Sequence, residues 1–424
     1  MTRQVDLFIH SARQLCVVPA HAGGPQRGAA QGDLGLIADG AVAIDAGRIV
    51  ASGTTAELRD LYTPRRALDA SGRVVVPGFV DPHTHVLWAG DRADEFEMRV
   101  AGASYMEIMA AGGGILSTVR ASRAAGVEQL VAETLPRLDR MLTSGSTTVE
   151  VKTGYGLDTP SELKALDAIL ELDKRHSVDL VPTFLGAHAI PPAYEGRSDD
   201  YVTTIVDEML PAVQSWAQDR GVSLPFVDVF CEEGAFDVEQ SRRILERARE
   251  RGFPLKVHAD EFAGLGGTAL AVELGAVSAD HLVRTPQSDI EALGRGDTVA
   301  VGLPCTPFGL GQAEYTPARA ILDAGAALAL ATDCNPGTAW CESMQFTMAL
   351  ACRTMRLTPA EALAAATVNA AFAVGRGGRA GSLTVGKRAD LLIIDAPDYR
   401  HLGYRFGGNL VEMVIKAGRV VVER

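Results

Sequence analysis

Apolar and polar positions along the chain fall into two rhythms. Near the start, "QVDLFIHSA", "GAVAIDAGRIVASG" and "RALDASGRVVV" are short apolar runs parted by turn-forming residues, which predicts strands. The far end repeats the pattern in "AGSLTVGKRADLLIIDAP" and "NLVEMVIKAGRVVVER". The spacing predicts a small β-sandwich domain assembled from both termini, residues 1–73 and 376–424. Between the first strands, "HAGGPQRGAAQGDLG" shows no period and reads as a mobile loop over residues 21–35.

The middle, residues 74–375, behaves differently. Apolar runs such as "VVVPGFVDPHTH", "TTVEVKTGYG", "LVPTFLGAH", "PFVDVFCEEG", "PLKVHADEF" and "ALALATDCNPG" alternate with helical segments such as "PSELKALDAILELDKRH". About eight such units predict an α/β chain folded as a (β/α)8 TIM-like barrel, with an open parallel sheet as the other topology.

In such barrels functional groups gather where strands end. Here the apolar runs stop at His83 and His85, at His188, at His258 and Glu261, at Asp280 and His281, and at Asp333. His83 and His85 share one side of an extended chain, because side chains alternate with period two. Together with His258 and Asp333 they offer three neutral nitrogens and a carboxylate, a donor set suited to zinc or ferrous iron. Asp333, Glu261 and His281 are the acid–base candidates.

Composition narrows the function class. The chain has 424 residues, of which 47% are hydrophobic, enough for a large core. A formal net charge of −13 argues against a nucleic-acid partner and means that an anionic ligand needs a local cation. Six cysteines without a CxxC pair fit a reducing cytoplasm. No run approaches the ~18 apolar residues of a membrane span, and the first residues do not read as a leader.

"PGFVDPHTH", "KVHADEF", "SADHL" and "ATDCNPGT" together resemble the metal-dependent amidohydrolase superfamily. With "HTHVLWAGDRADEFEMRVAGASYMEIMAAGGGI", "VKTGYGL" and "FLGAHAIP", the chain is similar within it to the imidazolonepropionase family. The resemblance implies hydrolysis of 4-imidazolone-5-propanoate to N-formimidoyl-L-glutamate in histidine degradation. It implies one divalent metal per subunit, zinc or iron, on His83, His85, His258 and Asp333, in a homodimer. It also implies substrate contacts at Arg92, Tyr155, His188, Glu261, Asn335, Gly337 and Thr338, with Glu261, His281 and Asp333 catalytic.

Arg92 suits the propanoate, since a guanidinium grips a carboxylate through two parallel hydrogen bonds. Its plainer reading is a surface ion pair with Asp91, Asp94 or Glu95, and that of "NPGT" is a turn. A lysine that could bridge two metals is missing from "VFCEEGAF", the fourth barrel strand; Lys152 belongs to the second. The glycine run from Ala110 is expected to act as a lid, because it lacks the phosphate-binding patterns. Two rivals are a nucleobase or heterocycle deaminase of the same superfamily, which would not need Arg92, and a non-catalytic barrel scaffold.

Overall fold

The computed structural model describes residues 2–103, 107 and 112–424. Its strands, in chain order, are β1 (Arg3–Cys16), β2 (Leu36–Asp45), β3 (Arg48–Thr54), β4 (Tyr62–Asp69), β5 (Val74–Pro77), β6 (Phe79–Asp81), β7 (Ser146–Lys152) and β8 (Asp179–Ala187). They continue with β9 (Phe226–Cys231), β10 (Lys256–Ala259), β11 (Ser278–His281), β12 (Val299–Gly302), β13 (Leu328–Leu330), β14 (Leu391–Ile394), β15 (Val411–Lys416) and β16 (Arg419–Glu423).

The β-rich ends meet in one mixed sheet, ordered β16-β15-β14-β5-β1-β2-β3, with β4 paired to β1. Alternation along β2 divides its side chains between two apolar clusters. Val42 and Ile44 pack with Leu7, Ile9 and Ile393, while Ala41 and Ala43 pack with Phe8 and Leu58.

The middle of the chain forms the second sheet, β6 to β13 side by side in sequence order and parallel throughout. The ring closes just beyond its first and last strands. Asp333 N donates to His83 O at 3.1 Å, and His85 N donates to Cys334 O at 3.0 Å. The Asp81 carboxylate accepts from Thr332 N (3.1 Å) and Thr332 Oγ1 (2.6 Å) across the same seam.

Helices cover the barrel because their sequences carry an apolar stripe between good caps. In Val238–Glu250, Asp237 and Gln240 form a capping box, while Ser241, Ile244, Leu245 and Ala248 face inward. Burying Ile244 and Leu245 contributes about 1.5–3 kcal/mol each.

Two sequence readings change. The run from Val74 is not one strand: β5 belongs to the terminal sheet and β6 to the barrel. The break falls at Gly78, whose amide donates to Asp390 O at 2.9 Å and where any Cβ would collide with the Thr147 side chain. The 21–35 segment, expected to be a mobile loop, is a strap pinned beneath the barrel. Gln31 exchanges hydrogen bonds with the backbone of Leu328 (2.9 and 3.0 Å). Arg27 reaches the carbonyls of Gly294 (3.1 Å), Gly296 (2.7 Å) and Gly325 (3.1 Å). Long-range side-chain bonds hold it where composition suggested a mobile loop. No helix among the described residues is long and apolar enough to cross a membrane.

Candidate active site

The strand ends deliver their polar residues to one buried point. His83 and His85 follow β6, His258 lies in β10, His281 ends β11 and Asp333 follows β13. His83 Nε2 and His85 Nε2 lie 3.5 and 3.6 Å from Asp333 Oδ1, and His258 Nε2 lies 3.3 Å from His85 Nε2. His83, His85 and Asp333 form one group able to hold a metal ion, and His83, His258 and His281 form another. His83 Nε2 is buried without a hydrogen-bond partner. Burial first, then neighbouring groups (the Lys152 ammonium for His83, the His188 ring for His85), holds both rings well below the usual imidazole range. They are therefore neutral donors. Burial pushes Asp333 up to about 6, against a hydrogen bond from Thr306 that pulls it down. The lone pairs of His83, His85 and Asp333, with His258 beside His85, fit a divalent cation better than they fit each other.

Behind these residues lies a layer of buried charge. Asp280 Oδ2 is 2.6 Å from His83 Nδ1, and Asp228 Oδ2 is 3.0 Å from His258 Nδ1. These carboxylates orient the rings, as groups behind metal-ligating histidines commonly do. Lys152 Nζ donates to Asp228 (2.7 Å) and Glu150 (2.8 Å), while Lys256 Nζ donates to Pro82 O (2.8 Å) and lies 3.4 Å from Asp280. Burial alone would lower the Lys152 ammonium; Asp228 and Glu150 outweigh it and hold it above its ordinary value. Sequence reasoning missed the roles of Glu150, Asp228 and Lys256. The signal was a carboxylate or ammonium inside an apolar strand: Glu150 and Lys256 lie on strands buried from end to end, and Asp228 on one buried except at Phe230.

Glu261 and His281 stand beside the donor set, with Glu261 Oε2 3.6 Å from His281 Nε2. Burial, then the Asp333 charge, pushes Glu261 well above the carboxylate range, and burial lowers His281. His281 and Asp333 both have positive φ, 82° and 52°. Such strain in residues other than glycine clusters at functional sites.

A cavity of about 780 Å³ opens over this point, and every substrate contact implied by the resemblance lines it: Arg92, Tyr155, His188, Glu261, Asn335, Gly337 and Thr338. Arg99, Phe230, Glu232 and Phe262 line it too and were not singled out from sequence. Arg92 does pair with Glu95, through Nε at 2.8 Å and a second contact from Nη2, yet both side chains are mostly buried in the cavity wall. Gly337 leaves room for the Arg92 guanidinium, which a Cβ there would push aside. His188 donates from Nδ1 to Gly154 O (3.0 Å) and stacks on His85 with ring centroids 4.8 Å apart. Burial lowers His188 to about 3, so its Nε2 is an acceptor.

Asn335 builds the turn after Asp333. Its Oδ1 accepts from Gly337 N and Thr338 N, both at 2.8 Å, and its Nδ2 donates to Asp333 O at 2.7 Å. Of the expected lid, Ala110 and Ala111 lie outside the described residues; Gly114 N donates to Glu95 at 2.8 Å.

The amidohydrolase family profile matches residues 74–421, and that of a bacterial imidazolonepropionase-like composite domain matches residues 40–62. The chain is 57% identical over 399 residues to an imidazolonepropionase of Herpetosiphon aurantiacus, covering 94% of this chain and 93% of that one. It is 54% identical over 422 residues to that of Chloroflexus aggregans, covering 98% of each. Among solved structures, a zinc-bound adenosine deaminase from Xanthomonas campestris superposes with a TM-score of 0.73 at 21% identity, over 100% of this chain and 94% of that one. The guanine deaminase of E. coli gives 0.69 at 16%, over 98% and 99%. These two likenesses concern the fold alone.

Proposed function

We propose, since the chain belongs to the amidohydrolase family and within it to the imidazolonepropionases, that it hydrolyses the cyclic amide of 4-imidazolone-5-propanoate to N-formimidoyl-L-glutamate in histidine degradation. The observation that carries this reading is a single cavity lined by His85, His258 and Asp333, with His83 buried against them and the Arg92 guanidinium in its wall.

A bound zinc or iron ion, held by His83, His85, His258 and Asp333, would supply Lewis acidity, bringing water towards a pKa of about 7 and polarising a carbonyl. The protein's own groups do the rest. Arg92 binds the propanoate carboxylate, supplying the cation that a net charge of −13 does not. Tyr155 and the backbone of Gly337 and Thr338 surround the ring, and His188 Nε2 accepts a hydrogen bond from it. Water adds to the ring carbonyl, and the bond from that carbon to the ring nitrogen breaks. Asp333, Glu261 or His281 takes the water's proton and one of them returns it to the leaving nitrogen. Burial raises Glu261 above the ordinary carboxylate range, which suits a group that passes protons.

Lys152 is engaged by Glu150 and Asp228, which favours one metal per subunit. All six cysteines are free, which suits a reducing cytoplasm. The three segments 1–73, 74–375 and 376–424 serve as two domains, with Val74–Pro77 passing to the terminal sheet in which they pair, and resemblance to the superfamily supports a homodimer. The test supplies imidazolone propanoate through urocanase and follows its absorbance, with metal quantitation and sedimentation on the same sample. Loss of absorbance with about one metal per chain is expected; a metal-loaded protein that leaves the substrate intact overturns the reading.

A further inference from the structure

The turn Thr153–Leu157 carries Tyr155 into the cavity, and one carboxylate binds three of its amides. Glu162, buried in the first turn of the helix Thr159–Arg175, accepts three backbone amides: Gly154 N on Oε2 (3.0 Å), and Gly156 N and Leu157 N on Oε1 (both 2.8 Å). The turn is shaped to its holder. Leu157 has φ of +56°, and a Cβ on Gly156 would lie 2.7 Å from Glu162 Oε1. The peptide next to Glu162 also reaches the second recognition residue. Gly154 O accepts from His188 Nδ1, and a Cβ on Gly154 would lie 2.9 Å from that nitrogen. From outside, Arg123 grips the same turn through Gly156 O and pairs with Asp158 at 3.0 Å.

We infer that Glu162 is a positioning residue for substrate recognition, fixing Tyr155 through its turn and fixing which His188 nitrogen faces the cavity through the Gly154 peptide. The inference rests on the substrate contacts proposed above. A stability role alone would need neither the glycines at 154 and 156 nor the carbonyl relay to His188. Oxygens on both arms of the carboxylate are used, so Glu162→Gln is a sharp probe. The amide oxygen can keep Gly156 and Leu157, while the amide nitrogen faces the Gly154 N–H and cannot accept it. The hydrogen bond that breaks is therefore the one leading to His188.

The experiment compares the metal-loaded wild-type protein with Glu162→Gln. Kinetics are read on imidazolone propanoate, and histidine ¹⁵N spectra, with His188 assigned through His188→Asn, report the ring tautomer. The expected result is a KM raised about tenfold or more, kcat within about threefold, unchanged metal content, and loss of the single Nδ1–H form at His188. An unchanged KM with an unchanged His188 signal overturns the inference. So does a joint collapse of kcat, KM and metal content, which would mark a purely structural residue. If Glu162→Gln does not fold, Arg123→Ala loosens the turn from its partly exposed side: a raised KM supports the inference and an unchanged KM overturns it. If the wild-type protein leaves imidazolone propanoate intact, the proposed reaction fails, while the His188 spectrum still decides the positioning.

Discussion

Arg92 and Glu95 form a fork one helical turn apart, and the Glu95 oxygen that accepts Arg92 Nε also accepts the Gly114 amide at 2.8 Å. The cation proposed for the substrate carboxylate is thus held in place before substrate arrives, and the residue that holds it also ties down the end of the glycine run. Arg92→Ala should lower kcat/KM by about ten- to a hundredfold, the equivalent of ~1.5–3 kcal/mol for a charged hydrogen bond. An unchanged kcat/KM would return Arg92 to the plainer role of partner to Glu95. A nucleobase deaminase would also be indifferent to this change, so ammonia release from nucleobases is the companion assay.

Asp333 stands across the closing seam from His83 and His85, where it would complete the proposed donor set. Asp333→Asn should reduce metal occupancy after gel filtration, read by elemental analysis, and turnover should fall with it. Near-normal turnover with metal retained would remove Asp333 from both roles.

Glu261 and His281 are placed beside the donor set, within reach of each other, where protons have to move. Glu261→Gln and His281→Ala should each lower kcat by ~10²–10⁴ with metal content intact, the range for a positioned acid or base. A kcat close to wild type in either variant would eliminate that residue as a proton carrier.

Lys152 neutralises Asp228 and Glu150 where none of the three meets solvent. Lys152→Met leaves two buried carboxylates short of a cation, which should cost ~3–5 kcal/mol in denaturant unfolding. A loss within experimental error would mean that Lys256 alone balances the layer.

Lys416 gives a pH signature away from the active site. It joins the terminal sheet to the barrel through Asp390 and Asp179, both at 2.9 Å, and burial lowers it from 10.5 to about 8. Below about 8 the folded and unfolded chains are both protonated here and the penalty is complete. Between about 8 and 10.5 the unfolded chain holds more protons, so stability rises with pH and the penalty is relieved. The stability difference between the wild-type protein and Lys416→Met should therefore shift with pH across that window. A difference independent of pH from 7.5 to 10.5 would contradict the assignment.

Much of the site was legible because barrel strands end where chemistry begins. The His83–His85 alternation, the histidines at later strand ends and Asp333 could each be found from local pattern, and the structure brings them within a few ångströms of one another. The charged layer beneath was not legible. "VEVK" reads like any amphipathic strand, and only the neighbouring strands reveal that Glu150 and Lys152 are enclosed. The Gln26–Gln31 strap escaped for the same reason, since its anchors at Leu328, Gly294 and Asn369 are remote in sequence. The split at Gly78 did have a local mark, the Pro77–Gly78 pair, which the strong apolar run on either side obscured.

The seam that closes the ring has a consequence for the life of the chain. Asp333 and Cys334 bond to the backbone of His83 and His85, yet some 250 residues separate them in the sequence. On the ribosome, the first histidines emerge long before the carboxylate that completes their site. With the donor set proposed above, a chain truncated before Asp333 is expected to be catalytically silent, and contacts this remote in sequence carry a large loop-closure cost in folding. The proposed site is thus complete only once the last barrel strand has docked against the first.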